Sequence, residues 1–187
     1  MSIDIKKENL IYERVNGKVI YYKNYELVLK GKKDLEEVMA SSLIQAFIVR
    51  ILYDYLSKCL SKNFVILFNE IGVRTEMGFR AIDLAIFEYN KINPHLGSYR
   101  ISSIAPKIAI EVDTKAESNL IDYVFEKTLD LLKTGTEKII WIFTKPKLIL
   151  IAKKESWVIK NWNEDIDVIE NISFNLENWE ERYEHRN

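Results

Sequence analysis

Cysteine is nearly absent from this sequence, which removes two kinds of site from consideration. The single cysteine, Cys59, cannot form an internal disulfide and cannot build a thiolate metal site. Six glycines and three prolines are too few for a fibrous or low-complexity chain. No apolar run approaches the roughly 18 residues of a transmembrane helix, and no apolar segment marks a secretory signal. We therefore expect a soluble, cytoplasmic protein with no membrane partner.

Charge is balanced over the whole chain but not along it. The 187 residues are 48% apolar and 29% charged, with a net charge of −1, which is typical of a single globular domain spanning residues 1–187. Residues 161–187 form an acidic C-terminal segment with a net charge of −6, whereas residues 1–160 carry +5. A basic body is suited to contact with a polyanion such as nucleic acid, but the acidic segment is equally typical of a solvated terminus.

Two patterns predict the N-terminal part of the fold. Apolar and polar residues alternate over 11–15, and Asn16-Gly17 before 18–22 is typical of the turn of a β-hairpin. Residues 34–62 predict a long helix beginning at Asp34, because their apolar residues recur at spacings of three or four. The predicted buried stripe of this helix contains Leu35, Val38, Met39, Leu43, Phe47, Ile48, Ile51, Leu52, Tyr55, Leu56 and Cys59.

The remainder of the chain reads as strands with one further helix. Apolar runs predict strands at 64–68, 80–87, 107–113, 138–143, 147–152 and 157–160. A helix is expected over 119–133, ended by Gly135, and residues 90–105 have the composition of a loop or excursion. The order strand, helix, strand over 107–143 is typical of a right-handed parallel crossover. We therefore expect an α/β fold with a central mixed β-sheet flanked by helices, preceded by the hairpin and the long helix.

Two acidic residues interrupt strands that are otherwise apolar. Asp83 lies among the apolar residues of 81–86, and Glu111 directly follows the apolar residues 108–110. An ionised carboxylate inside a sheet is costly unless a cation or hydrogen-bond donors meet it. Two such groups on neighbouring strands would form an oxygen-rich site suited to Mg²⁺ or Mn²⁺. The alternative is that each carboxylate ends its strand in solvent or pairs with a lysine or arginine.

Lys127 is the third residue of interest and belongs to the helix predicted after Glu111. It is expected at the margin of the apolar helix face, from which its side chain could bend toward the strand ends or run along the helix edge into solvent. That apolar face is expected to consist of Leu120, Ile121, Val124, Phe125, Leu131 and Leu132.

The order of these residues resembles that of the PD-(D/E)XK phosphodiesterase superfamily. Asp83 comes first, then Glu111-Val112-Asp113-Thr114 at a strand end, then Lys127 on the next helix. More narrowly, the chain resembles the Uma-type restriction endonuclease family, in which the lysine lies on the helix. Segments 12–18, 126–135 and 138–142 are similar to that family's opening hairpin, lysine helix and aromatic strand, so the resemblance spans most of the chain.

The resemblance implies a restriction endonuclease-like fold and an endonuclease that depends on Mg²⁺ or Mn²⁺. Its expected reaction is hydrolysis of phosphodiester bonds in nucleic acid, with DNA as the expected substrate. Asp83, Glu111 and the Val112 carbonyl would bind the metal. Lys127 would position the nucleophile or offset charge on the phosphoryl oxygens. The resemblance also implies a homodimer.

Four positions depart from the family pattern or compete with it. Ile82 stands where the family usually has proline, and Gln45 stands where many relatives have histidine on the first helix. Asp113 replaces a residue that is usually apolar, and is either an additional metal ligand or an exposed acid at a strand end. Gln45 and Asp113 are therefore accessory candidates, and Lys115 competes with Lys127 for the role of the lysine.

Two functions other than catalysis stay open from the sequence. The chain could be a noncatalytic nucleic-acid-binding module that keeps the nuclease fold, or a homodimeric interaction module whose strands and aromatic residues form the interface. Lysines cluster at 30–33 and at 145–154, where they could bind phosphates or lie on solvated edges. Metal binding separates the nuclease from the noncatalytic module.

Overall fold

An eight-stranded mixed sheet forms the centre of the fold. The computed structural model describes residues 6–15, 18–22, 24–114 and 121–177. The strands in these ranges are β1 (Ile11–Val15), β2 (Lys18–Tyr21), β3 (Phe64–Thr75), β4 (Gly78–Glu88), β5 (Ile108–Asp113), β6 (Lys138–Phe143), β7 (Leu148–Lys153), β8 (Trp157–Asn161), β9 (Ile166–Ile169) and β10 (Ile172–Phe174). The sheet has the order β2-β1-β4-β5-β6-β7-β8, with β3 also paired to β4, while β9 and β10 form a separate hairpin.

Helices cover both faces of the sheet. They are α1 (Tyr25–Leu29), α2 (Leu35–Met39), α3 (Leu43–Cys59), α4 (Tyr89–Ile92) and α5 (Ile121–Thr134). Helix α3 shares one hydrophobic cluster with Ile108 and Ile110 of β5, whereas α5 shares a second cluster with Ala109. Because neighbouring residues of a strand point to opposite faces, the two helices lie on opposite sides of the sheet. The predicted central mixed sheet flanked by helices is therefore confirmed.

The predicted N-terminal hairpin is present. Strand β1 pairs antiparallel with β2, from Ile11 opposite Tyr21 to Val15 opposite Lys18. The predicted Asn16-Gly17 turn lies outside the described residues. Strand β1 also pairs with the start of β4, which joins the hairpin to the main sheet.

The predicted long helix over 34–62 is wrong in its first part, because the helix is interrupted between α2 and α3. Ser42 has extended backbone and caps α3, and its side chain accepts a hydrogen bond from the backbone N–H of Gln45. The Gln45 side chain accepts the Ser42 N–H at 3.1 Å, which completes a capping box. The predicted stripe accordingly fails at Met39 and Leu43, which are 45% and 91% exposed, and at exposed Cys59. It holds at Ile48, Ile51, Leu52 and Leu56, which are buried against the sheet.

The predicted strand, helix, strand unit over 107–143 is confirmed as a parallel crossover. Strand β5 pairs parallel with β6, with Ile110 opposite Ile140, and α5 connects the two strands. One expectation about α5 is wrong, because Phe125 is 47% exposed. Lys127 is 1% exposed and bends toward the strands, which is the first of its two expected alternatives. Phe125 instead stacks on Trp157 of β8, with ring centroids 5.1 Å apart.

The segment over 90–105 is an excursion held against β3. It begins with α4 and a short 3₁₀ turn over Asn93–His95, so of the two expected alternatives the excursion is present. Ser102 then exchanges backbone hydrogen bonds with β3, donating its N–H to Gly72 and accepting from Arg74, both at 2.7 Å. A Cβ at Gly72 would lie 2.5 Å from the Ile101 Cγ2, so only glycine permits this close approach.

The acidic C-terminal segment contributes to the core, so its alternative interpretation as a solvated terminus is wrong up to residue 177. Its hairpin β9–β10 buries Ile166, Val168 and Phe174 within the α3-side cluster. Lys138 holds β9 by donating to the carbonyls of Asp167 and Val168 at 2.8 and 2.7 Å. Residues 178–187 lie outside the described residues. Of the helices the structure describes, none is long and apolar enough to cross a lipid bilayer.

Candidate functional site

The candidate site lies where β4 loses its strand neighbours along one edge. Strand β3 pairs with β4 along the opposite edge. On the site edge, β1 pairs only at Gly78 and Phe79, and β5 pairs only from Leu84 to Ile86. Residues 80–83 therefore have no strand partner on this edge within the described chain. Their backbone groups must find other partners, because buried N–H and C=O groups are rarely left unpaired.

Lys127 fills this gap from helix α5. Its ammonium donates to the Ala81 carbonyl at 2.5 Å, and it lies 3.0 Å from Glu111 Oε1 and 3.4 Å from Glu13 Oε1. Glu13 Oε1 also accepts the Ala81 N–H at 3.1 Å. The carboxylates of two strands, β1 and β5, thus draw Lys127 into the gap, which explains why it is buried.

Aromatic rings surround the same ammonium. The ring centroids of Tyr12, Tyr123 and Trp141 lie 5.9, 5.6 and 5.6 Å from the Lys127 Nζ. Such ring faces attract a cation that has lost its water. The lysine is therefore held in its charged form by carboxylates and rings together.

Asp83 lies where β4 and β5 come together. Its Oδ2 accepts the backbone N–H of Val112 at 2.8 Å, in place of a carbonyl of the neighbouring strand. The pairing of β4 with β5 ends at Leu84 opposite Ile110, and the charge of Asp83 raises the pKa of Glu111, so the two acids lie near each other just beyond the last pair. The structure thus brings together the three residues singled out from the sequence. We refer to Asp83, Glu111 and Lys127 as the Asp83 cluster.

The accessory residues take different places. The Gln45 side-chain amide donates to the Val112 carbonyl at 2.9 Å, so it binds the proposed third metal ligand directly. Asp113 is half-buried at the end of β5 and accepts the N–H of Thr114 at 2.5 Å. Lys115, the competitor of Lys127, lies outside the described residues.

The Asp83 cluster carries more negative than positive charge. Burial raises the pKa of Asp83, and the charge of Asp113 raises it further. Burial raises the pKa of Glu111 well above its ordinary value, since Lys127 offsets only part of the cost and Asp83 adds to it. Burial alone would lower the pKa of Lys127, but the charges of Glu111 and Glu13 outweigh it and raise this pKa. A cation bound near the carboxylates would relieve the imbalance.

A second buried charge cluster adjoins the first and was missed by the sequence analysis. Arg80 donates to Glu13 Oε2 and to Asp130 Oδ2, both at 2.9 Å, and Thr75 donates to the same Asp130 oxygen at 2.8 Å. We refer to Arg80, Glu13, Asp130 and Thr75 as the Arg80 cluster. Glu13 links it to Lys127. The only available signal was that Glu13 and Asp130 lie within the hairpin and helix segments similar to the Uma-type family.

A cleft opens beside Asp83 on the α3 side of the sheet. It has a volume of about 450 Å³ and is bounded by α3, the preceding turn and β3. Asp83 lines this cleft, whereas the side chains of Glu111 and Lys127 are only 5% and 1% exposed. Asp83 is therefore the member of the cluster through which a ligand in the cleft would reach the site.

The donor set fits a hard divalent cation. Within the described ranges, no three carboxylate, imidazole or thiolate side chains converge as metal ligands. Two carboxylates and a carbonyl still suit Mg²⁺, because this ion usually keeps several waters. Glu111 Oε1 is buried and lies 3.0 Å from the Lys127 ammonium. The two carboxylates outnumber this single ammonium, which favours a cation.

Comparison with known proteins supports the fold through structure alone. The sequence matches no family model and no curated protein. Among solved structures, the chain resembles a candidate nuclease belonging to DUF820 from Anabaena variabilis ATCC 29413, with a TM-score of 0.63 and 16% identity. The match covers 88% of this chain and 87% of that chain. The chain thus has the predicted restriction endonuclease-like fold, while membership of the Uma-type family stays a prediction.

Proposed function

We propose that the protein is a metal-dependent nuclease that hydrolyses phosphodiester bonds of nucleic acid, with DNA as the preferred candidate. One observation carries this proposal: Asp83 and Glu111 adjoin a gap in a restriction endonuclease-like sheet, where two carboxylates face one lysine and Asp83 lines an open cleft. The structural neighbour, itself described as a candidate nuclease, adds support.

The proposed cofactor is Mg²⁺ or Mn²⁺. The carboxylates of Asp83 and Glu111 and the carbonyl of Val112 would hold it. When bound, such an ion lowers the pKa of a coordinated water and polarises the scissile phosphate.

The chain's own contribution is to fix these oxygens before a ligand arrives. The Val112 N–H orients the Asp83 carboxylate, and the Gln45 amide orients the Val112 carbonyl. A carbonyl oxygen has two lone pairs, so the bond from Gln45 leaves one available. These contacts tie the ligands to β5 and to the first turn of α3. Rigid elements of this kind hold a site more precisely than loops do.

Lys127 is proposed to act through Glu111. Its ammonium lies 3.0 Å from Glu111 Oε1 and is 1% exposed, so in this arrangement its charge supports the ionised carboxylate. Removing Lys127 would leave Glu111 buried without its counter-charge and would favour its protonation. The expected result is weaker metal binding as well as slower cleavage. Direct contact of Lys127 with a phosphoryl oxygen stays a prediction from the resemblance.

Cleavage of plasmid and single-stranded DNA in Mg²⁺ or Mn²⁺ tests the proposal. The wild type is compared with Asp83→Asn and Glu111→Gln, which change charge with little change of shape. Asp122→Asn and Glu126→Gln are the matched controls, because both residues are exposed on α5. We expect cleavage by the wild type and both controls, and a loss of at least about 100-fold in each site variant. Equal cleavage by Asp83→Asn and the wild type would end the assignment.

A noncatalytic nucleic-acid-binding module is the second candidate. Two observations favour it: the burial of Lys127 and the existing bond from Gln45 to the Val112 carbonyl. A module of this kind needs no divalent ion. Folded protein that binds nucleic acid, but neither binds Mn²⁺ nor cleaves any tested substrate, would establish this second function.

We also propose a homodimer, formed through an exposed apolar surface on β8 and α5. Ile159 and Leu129 are 67% and 57% exposed, and they flank the stacked pair of Phe125 and Trp157. Strand β8 ends the sheet order, so its outer edge is available for pairing within the described chain. Light scattering should give twice the monomer mass for the wild type and a smaller mass for Ile159→Lys. A monomeric wild type at micromolar concentration would rule out the dimer.

A further inference from the structure

The cleft beside Asp83 has an aromatic wall that the proposed hydrolysis does not use. Tyr53 of α3 and Phe68 of β3 form this wall, with ring centroids 4.5 Å apart and planes tilted by 51°. Phe68 is 51% exposed, although its partner in β4, Leu84, is fully buried. A half-exposed phenylalanine at a cleft offers a flat face to a ligand.

An irregularity in β3 places the aromatic wall beside the Asp83 carboxylate. The pairing of β3 with β4 shifts register between Phe68 and Ile71. The two residues between them, Asn69 and Glu70, both have positive φ, at 81° and 53°. Neither is glycine, so the backbone there adopts a conformation that such residues rarely take. Bulges of this kind redirect side chains next to active sites.

Polar and charged groups also line the cleft. They are Ser41, Arg50, Asn69, Glu70 and Asp83. Burial raises the pKa of Glu70, and the charge of Asp83 raises it further, so the two carboxylates act on each other. Without a bound cation, an anionic group beside these two carboxylates would be repelled by both. A flat neutral ring with polar edges would stack on Phe68 and meet these hydrogen-bonding groups.

We propose that the cleft binds a single unpaired nucleobase of a nucleic-acid strand whose adjoining phosphate lies at Asp83. Bases inside a duplex cannot enter such a cleft, because they are stacked and paired. The substrate class is therefore single-stranded nucleic acid, or a duplex with an unpaired base. The position of the phosphate rests on the proposed nuclease function, whereas base binding does not.

Fluorescence anisotropy with labelled oligonucleotides in EDTA tests base binding without cleavage. We expect the wild type to bind single-stranded DNA at least about tenfold more tightly than a duplex of the same sequence. Phe68→Ala and Phe68→Leu should each weaken single-strand binding by about tenfold, since leucine keeps apolar volume but lacks a stacking face. A strand carrying abasic sites should bind the wild type as weakly as Phe68→Ala binds the intact strand. Tyr89→Ala is the matched control, because Tyr89 is an aromatic residue that is 44% exposed and does not line the cleft.

Three results would overturn this inference: Phe68 variants that bind like the wild type, a duplex bound as tightly as a single strand, or no binding of either. If the wild type cleaves plasmid DNA and Asp83→Asn does not, the nuclease proposal is retained in each of these cases. Conversely, single-strand binding that depends on Phe68, in a protein that never cleaves, would keep the base site and remove the nuclease. The two proposals therefore fail separately.

Discussion

The Arg80 cluster and the Asp83 cluster lie side by side and contain the same kinds of residue, but they differ in their access to a ligand. In the Arg80 cluster the guanidinium lies between two carboxylates, with both hydrogen bonds at 2.9 Å and the arginine side chain 0% exposed. In the Asp83 cluster one lysine faces carboxylates whose pKa values are raised, and Asp83 lines a cleft. Each cluster has one cation and two carboxylates, so the two differ in access: Asp83 lines the cleft, whereas the Arg80 cluster is enclosed in the core.

This difference between the clusters shows which property of a buried acid indicates a binding site. Both clusters contain charged residues in the core, which is costly unless each charge is met. The enclosed cluster joins elements together: Arg80 ties β4 to β1 through Glu13 and to α5 through Asp130. Where a carboxylate of such a cluster lines a cleft, an external cation can reach it. Access to the cleft therefore points to the binding site more specifically than burial or charge does.

Breaking the Arg80 cluster should have the largest effect on stability. Arg80→Met leaves Asp130 buried without its counter-charge and leaves Glu13 with only Lys127, 3.4 Å away, and breaking a buried pair in this way costs about 3–5 kcal/mol. The Tm should fall by about 10 °C or more. Thermal unfolding monitored by circular dichroism measures this, with the exposed Arg50→Met as the control. An unchanged Tm would show that the cluster does not hold the sheet together.

Breaking the Asp83 cluster at its lysine should cost less. Lys127→Met leaves Glu111 without its cation, but Glu111 can protonate and Glu13 keeps Arg80. We expect a loss of roughly 2 kcal/mol in the free energy of unfolding at neutral pH. Adding Glu111→Gln should restore part of it, and urea unfolding of the double-mutant cycle measures the coupling. Additive losses would show that Lys127 and Glu111 do not interact.

Removing the negative charge of Asp83 should raise the stability of the protein, whereas the same change at Asp130 should lower it. Asp83→Asn keeps an acceptor for the Val112 N–H and removes a charge that burial disfavours. Without metal we expect it to raise stability by roughly 1 kcal/mol, or about 2–4 °C in Tm. Asp130→Asn takes a charge from Arg80 and should lower Tm. Two variants that shift Tm in the same direction would remove the distinction between the clusters.

The smallest expected effect is the pH dependence of the stabilisation expected from Asp83→Asn. The pKa of Asp83 is raised in the folded protein, so the folded state binds this proton more tightly than the unfolded chain does. Stability from this group is complete below the unfolded pKa of about 3.9 and is lost as pH rises through the folded pKa. In EDTA, the Tm of the wild type and Asp83→Asn should therefore converge near pH 4 and separate toward pH 7. A difference that does not change with pH would contradict the raised pKa.

Local patterns were enough to predict the sheet and the carboxylates of the site. An acid within an apolar strand is visible in a few residues, as at Asp83 and Glu111. The break before α3 was also visible, since Ser42 and Gln45 have the spacing of a capping box, but the apolar periodicity was given more weight. In the same way, the many acids after residue 160 obscured the buried residues of β9.

Long-range contacts could not be predicted from those patterns. Arg80 meets Glu13 and Asp130 across 67 and 50 residues of sequence, and no local pattern identifies such partners. The burial of Lys127 follows from the same cause, because a helical wheel does not show that carboxylates of β1 and β5 lie beneath it. The cleft depends on a bulge at Asn69-Glu70, which has no glycine to indicate it.

Calorimetric titration with Mn²⁺ tests the central claim that the excess charge of the Asp83 cluster binds a divalent cation. The wild type, Asp83→Asn and the exposed control Asp122→Asn are titrated under the same conditions. The account predicts a binding isotherm for the wild type and for Asp122→Asn, and none for Asp83→Asn. Equal binding by all three proteins, or no binding by the folded wild type, would contradict it.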